Sequence, residues 1–176
     1  IKSVSVIFAP PFTGLFGVQL KSPFHVAAQN CHWEESGALT GEISVSMIKD
    51  CGVEYGIVGH SERRHVFGES NDWVNKKTKA LLSNGLIPIL CVGETITQRE
   101  SGDTELILKE QIEKGLDSIS DITNCIIAYE PVWAIGTGLT ATNEQVEIAH
   151  QYIREVVGSK YGNGNQIHIL YGGSVN

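Results

Sequence analysis

Three short stretches of the chain carry residues able to do chemistry. In Tyr55-Gly56-Ile57-Val58-Gly59-His60-Ser61-Glu62-Arg63-Arg64, an apolar run stops at a glycine, and His60 then opens a polar turn that reads as helical. The partial positive charge of a helix N-terminus disfavours an imidazolium. A neutral His60 ring there is able to donate a hydrogen bond to a carbonyl. A solvated histidine beside a surface ion-pair cluster is the competing reading. In Ile126-Ile127-Ala128-Tyr129-Glu130-Pro131-Val132-Trp133-Ala134-Ile135-Gly136-Thr137-Gly138, Glu130 stands where a buried strand emerges. A carboxylate roofed by Trp133 and Ile135 would be desolvated and a better general base. Val132–Ile135 is too apolar for an ordinary exposed loop and reads as a lid. The alternative is a packed connector, with Glu130 in a surface salt bridge. In Gly172-Gly173-Ser174, adjacent glycines free backbone N–H groups to cradle an anion, ideally phosphate. A diglycine is weak by itself, and a plain tight turn also accounts for it.

A fourth motif fails on context. Gly136-Thr137-Gly138-Leu139-Thr140-Ala141 matches the G-x-G-x-x-A dinucleotide fingerprint, with Glu155 about 20 residues on. Its first glycine should end a strand directly. Here a stretch beginning Glu130-Pro131 intervenes, and the next helix starts only near Thr142. A nicotinamide-dependent dehydrogenase is therefore disfavoured.

The elements that must position these residues follow from the hydrophobic pattern. Near-continuous apolar runs mark strands at Val4–Phe8, Phe24–Gln29, Tyr55–Val58, Ile87–Val92, Cys125–Tyr129 and Ile167–Tyr171, as expected of parallel strands covered on both faces. Helices fall between them. Ser44–Asp50 stops before Gly52, and Asp72–Ser83 stops at Asn84-Gly85. Thr104–Ser118 carries Leu106, Ile107, Ile112, Leu116 and Ile119 at helical spacing. Thr142-x-x-Gln145 is a capping box, and the helix it opens presents Val146, Ala149, Ile153 and Val156 on one face. Strand–helix alternation without a linker or charge block implies one α/β domain with right-handed crossovers.

Composition narrows the function classes. The 176 residues hold 13 Lys+Arg and 20 Asp+Glu, a net charge of −7, which argues against a nucleic-acid binder. Hydrophobic residues make up 41% and charged residues 19%, the composition of a buried globular core rather than of disorder. The longest apolar stretch, Leu86 to Val92, is far below the ~20 residues of a membrane span. The chain opens on a strand-like run, with no signal peptide expected ahead of it. Cys31, Cys51, Cys91 and Cys125 lack a CxxC spacing and read as structural thiols of a reducing cytoplasm. Cys31-His32 is an isolated pair and no His-Glu-x-x-His occurs, so zinc is disfavoured.

Along its whole length the sequence resembles the triosephosphate isomerase family. The matching stretches are Ala9-Pro10-Pro11-Phe12, Gln29-Asn30, Gly41-Glu42-Ile43-Ser44, Gly59-His60-Ser61-Glu62-Arg63-Arg64, Cys91-Val92-Gly93-Glu94, Ala128 through Gly138, and Gly172-Gly173-Ser174-Val175. The resemblance implies a (β/α)8 TIM barrel, with the six runs as its second to seventh strands, so that 1–176 is a single partial barrel domain. This family is itself the worked case of neutral-imidazole catalysis and lid closure, so the roles that follow are the family's. Glu130 is implied to be the base that moves a proton between neighbouring carbons of a triose phosphate, and His60 the neutral group polarising the carbonyl. Pro131, Val132, Trp133, Ala134, Ile135, Gly136 and Thr137 are implied to be the lid. Gly136, Gly173 and Ser174 are implied to bind the substrate phosphate. No metal or organic cofactor is implied. The setting is cytoplasmic glycolysis and gluconeogenesis, with no nucleic acid or membrane partner. The loop from Asn30 to Thr40, with Trp33 and Leu39, is implied to dock into a twin subunit and make a homodimer.

The chain also departs from the family. Barrels of this kind run to about 250 residues, so the chain reads as truncated at both ends. The first strand is missing, with the family's substrate-binding asparagine and lysine, and so is the eighth, with its phosphate-binding glycines. Leu139 stands where many members carry lysine, and Leu39 where many carry phenylalanine. A catalytically incomplete fragment, retaining only binding or assembly surfaces, is thus the alternative to an active isomerase.

Overall fold

The computed structural model describes residues 4–18 and 20–174; Val175, at the end of the last matching stretch, lies outside them. Six strands form one parallel sheet in sequential order: β1 (Val6–Phe8), β2 (Phe24–Ala28), β3 (Tyr55–Val58), β4 (Ile87–Val92), β5 (Ile126–Tyr129) and β6 (His168–Tyr171). Helices α1 (Val45–Asp50), α2 (Ser61–His65), α3 (Asn71–Ser83), α4 (Ile96–Glu100), α5 (Thr104–Gly115) and α6 (Asn143–Tyr161) lie in the crossovers. Sequential order with every neighbour parallel is the winding of a (β/α)8 barrel, here curled but open, with six of eight strands.

The strands sit where the apolar runs predict, within two residues. β1 begins at Val6 rather than Val4 because its register with β2 begins at Val6↔Phe24. The central runs, β4 and β5, are continuous because both of their faces are covered. On β4, Leu90 and Val92 join the outer core with Val74, Leu108 and Ile153 from the helices. Ile89 and Cys91, one residue out of phase, join Ala128, Ile57 and Ile7 inside the curl.

Two helical expectations need correction. The helix from Thr104 ends at Gly115, and Leu106 points to solvent at 62% exposure. Ile112 and Leu116 are buried as expected, and Leu108 and Gly115 complete the packed stripe, spaced i, i+4, i+7 and i+8 from Leu108. The short helix α4 was not expected, although Thr95 and Gln98 form a capping box as clear as that of Thr142 and Gln145. Val146, expected in the core face of α6, is only half-buried, and Val157 is buried in addition to the expected set. All four cysteines are free thiols. Burial pushes the Cys125 thiol up to about 12. No helix among the described residues is long and apolar enough to cross a membrane.

One charged cluster interrupts the core. Glu69, fully buried at its side chain, receives Lys77 and Arg63, the latter at 2.6 Å, and Lys77 also donates to Asn30 Oδ1 at 2.8 Å. This fixes the start of the 30–40 loop on α3. Further along, Trp33 folds back between His32, at 4.1 Å, and Trp73, at 5.4 Å between ring centroids. Leu39, by contrast, stays exposed. The loop therefore presents Leu39 rather than both apolar residues to its surroundings.

Burial opposes ionisation of Glu69, but hydrogen bonds from Lys77 and Arg63 outweigh it and hold the carboxyl below its ordinary range. A depressed folded value contributes stability above the unfolded value and loses it as pH falls. Denaturant unfolding of the parent and Glu69→Gln should therefore differ most above pH 4.5, the unperturbed value. The gap should close as pH falls below it. A gap independent of pH would show that the charge of Glu69 contributes nothing.

Candidate active site

The C-terminal ends of β3, β4, β5 and β6 converge on one carboxylate. β5 runs straight into Glu130, whose N–H donates to Val92 O at 2.8 Å, so the pairing with β4 continues one residue past the strand. Glu130 is 6% exposed. A carboxylate this buried needs donors, and the first turn of α2 supplies them. Ser61 N–H donates to Glu130 Oε2 at 3.0 Å. His60 Nε2 lies 3.3 Å from Glu130 Oε1.

His60 is the N-cap of α2, and its Nδ1 accepts from Glu62 N–H at 3.3 Å. An Nδ1 that accepts a backbone N–H carries no proton of its own. In that tautomer the ring proton sits on Nε2, the nitrogen nearest Glu130.

From β4, Gly93 lies flat against the backbone carbonyl of Glu130, and a Cβ at residue 93 would overlap that oxygen. Gln111 on α5 clamps this glycine, accepting from Gly93 N–H at 2.8 Å and donating to Gly93 O at 3.1 Å. From β6, Gly172 N–H donates to Tyr129 O at 2.8 Å. Cys91 is buried beside the site, and burial with the Glu130 charge pushes its thiol well above the ordinary range.

The segment after Glu130 is packed at its beginning and exposed at its tip. Pro131 leads into a 3-10 turn over Val132–Ala134, with Trp133 and Ala134 buried and Gly136 and Thr137 exposed. Trp133, expected over Glu130, has its indole N–H on Glu94, donating Nε1–H to Oε1 at 2.9 Å. Glu94 is fully buried and also receives the Tyr129 hydroxyl at 3.2 Å and Arg99 at 3.1 Å, while the Arg99 guanidinium lies 4.5 Å over the Trp133 ring. Burial and the Glu94 charge raise the Tyr129 hydroxyl well above its ordinary value, so it remains a donor. Hydrogen bonding, rather than exclusion from water alone, is what holds an apolar run in a loop. Glu94 was read only as part of a matching stretch and given no role, although it follows an apolar strand and a glycine much as Glu130 follows β5.

Ser174 donates to Ala134 O from its N–H at 3.2 Å and its hydroxyl at 2.8 Å, which ties the glycine loop after β6 to the lid. Ser174 and Gly173 therefore stand beside the segment that carries Gly136. The G-x-G-x-x-A stretch is an exposed loop ahead of α6, not a strand-to-helix turn. On the His60 side an open cavity of about 450 Å³ is lined by Gln29, Asn30, Ile57, His60, Arg63 and Phe67, among others.

The family profile described as triosephosphate isomerase matches residues 1–176. The triosephosphate isomerase of Chlorobium phaeobacteroides is 52% identical over 171 residues, covering 95% of this chain and 69% of that protein. That of Geobacter metallireducens is 49% identical over 179 residues, covering 98% and 71%. That of Acetivibrio thermocellus is 50% identical over 178 residues, covering 97% and 71%.

The cap geometry makes a spectroscopic prediction. In ring ¹⁵N spectra, His60 Nδ1 should show the pyridine-type shift of an unprotonated nitrogen, and Nε2 the pyrrole-type shift of a protonated one. The reverse pattern would remove the donor from Glu130.

Proposed function

Because the chain belongs to the triosephosphate isomerase family, we propose that Glu130 and His60 are the base and the electrophile of that isomerisation. The observation that carries this is a buried carboxylate 3.3 Å from an imidazole nitrogen whose partner nitrogen accepts a backbone N–H. The substrate carbonyl enters beside His60 and receives the Nε2–H hydrogen bond. Glu130 exchanges Ser61 N–H for the substrate and takes a proton from the carbon next to the carbonyl. The electron pair left behind forms an enediolate; His60 gives its Nε2 proton to the former carbonyl oxygen and takes up the proton of the neighbouring hydroxyl oxygen, and Glu130 returns the carbon proton to the former carbonyl carbon. Dihydroxyacetone phosphate and D-glyceraldehyde 3-phosphate interconvert with no net redox change. Gly136, Gly173 and Ser174 bind the phosphate as Pro131 through Thr137 close.

Glu130→Gln keeps the shape and removes the base. In the complete barrel, made by fusing to this chain the flanking segments of the Chlorobium relative, turnover should fall by at least ~10²–10⁴-fold, with substrate binding affected far less. Near-normal turnover would remove Glu130 from the role.

A second proposal concerns the 176-residue chain alone, and the open sheet favours it. Phe8 and Leu170 on the end strands are exposed, and β1 and β6 each have one unpaired edge among the described residues. The chain alone holds the catalytic pair but encloses the substrate on one side only, and it is catalytically incomplete. Preorganised donors around a developing charge are worth ~10²–10³-fold each. The chain alone should fail to interconvert the two triose phosphates, and the complete barrel should succeed. Comparable activity from the short chain would overturn this second proposal.

The complete protein assembles as a homodimer. Leu39 on the 30–40 loop is exposed, as are Met47 on α1 and Val66 and Phe67 just after α2, apolar side chains that a partner subunit would cover. Sedimentation should show a dimer at micromolar concentration. A fully active monomer would contradict it.

A further inference from the structure

Helix α2 delivers both donors to Glu130, yet it is only five residues long. Nothing in so short a helix fixes its orientation, so something must anchor it to the strands. The anchor is the guanidinium of Arg64, at the end of the same turn. Its Nε donates to Gly59 O at 2.7 Å, Nη1 to Asn71 Oδ1 at 2.7 Å, and Nη2 to Cys91 O at 3.2 Å. Arg64 N–H donates in addition to His60 O at 3.0 Å. Gly59 is the residue before His60, Cys91 lies in β4, and Asn71 opens α3. The fork therefore ties the end of β3, the end of β4 and the start of α3 to the turn that carries His60 and Ser61.

The local sequence is built around this fork. Gly59 has φ +69°, and a Cβ there would stand 2.7 Å from Arg64 Nη2. Only a glycine admits the guanidinium so close to the backbone. All three side-chain acceptors are neutral oxygens, although an arginine of this burial usually meets a carboxylate. Burial lowers the guanidinium below its ordinary value, and the charges of Glu130 and Glu69 offset part of that. Three acceptors on three separate elements are what a planar fork with five donors can satisfy. A lysine ammonium, a single point, does not span them.

We propose that Arg64 is a positioning residue for the isomerisation, holding the first turn of α2 so that His60 Nε2–H and Ser61 N–H both meet the catalytic carboxylate. This rests on the roles given above to His60 and Glu130. Arg64 touches neither substrate nor reacting atoms. Its effect is geometric, and displacements of about 1 Å in such a pair cost on the order of 10²-fold.

The test compares Arg64→Lys, Asn71→Ala and Glu130→Gln in the complete barrel, with kcat and KM measured separately and ring ¹⁵N spectra of His60 recorded for each. Arg64→Lys keeps the charge and loses the fork. Its kcat should fall on the order of 10²-fold with KM nearly unchanged, and the single Nε2–H pattern of His60 should give way to mixed tautomers. Unchanged kcat would overturn the proposal. So would a fall in kcat and thermal stability with the His60 pattern intact, since that is structural loss alone. Asn71→Ala removes one of the three anchors and leaves β3 and β4 untouched, so it decides the matter should Arg64→Lys not fold. A severalfold fall in kcat at constant KM supports the proposal, and an unchanged kcat overturns it. If Glu130→Gln retains turnover, the catalytic assignment fails, whereas the tautomer readout still judges Arg64 independently.

Discussion

A carboxylate out of water must be given hydrogen-bond donors, and the structure is organised around giving them to Glu130. One of its oxygens takes Ser61 N–H at 3.0 Å and the other lies 3.3 Å from His60 Nε2, both groups coming from one helical turn. Neither donor belongs to the strand that carries the carboxylate, and 69 residues separate Ser61 from Glu130. The contact therefore depends on where β3, β4 and β5 end relative to one another. Parallel pairing sets this: the last aligned positions are Val58↔Leu90 and Val92↔Tyr129, so β4 and β5 end together while β3 stops opposite Leu90, and the chain from Gly59 to Ser61 makes up the difference.

The segment after Glu130 is held by a different balance. Pro131 through Ala134 is held by Glu94, a fully buried acid that collects donors from Trp133, Tyr129 and Arg99. A buried ion pair is costly to form but costlier to break on one side. The tip at Gly136–Gly138 has glycines with positive φ and is exposed. The proposed lid would therefore move at its tip, about an anchored beginning. The bond from Ser174 to Ala134 gives the loop after β6 a direct mechanical connection to the same segment.

Much of this was legible in the residues. Apolar runs announced every strand, because a short strand covered on both faces must be continuously rather than alternately hydrophobic. Gly52, Asn84-Gly85 and the Thr142 box announced helix ends by local chemistry alone. What was not legible depended on partners distant in sequence. Leu106 and Leu108 are the same residue type two positions apart, and only the packing of α5 on β4 decides which is buried. Trp133 looked like a roof for Glu130 because it follows it closely. Its indole N–H needed an acceptor, and the acceptor was Glu94, 39 residues earlier. Trp33 looked like part of an exposed loop tip until Trp73 offered it a surface. Arg64 and Gln111 likewise were given no role of their own from the sequence. Their function is to satisfy backbone groups at strand ends that no periodicity reveals.

The central claim is that the Ser61 amide binds the Glu130 carboxylate. A scalar coupling across that hydrogen bond, between Ser61 ¹⁵N and the Glu130 side-chain carboxyl ¹³C, reports it without reference to activity. The account predicts a resolvable correlation between these two nuclei in the substrate-free complete barrel and slow exchange of the Ser61 amide. Absence of the correlation, with the Ser61 amide exchanging as fast as an exposed loop amide, would contradict it.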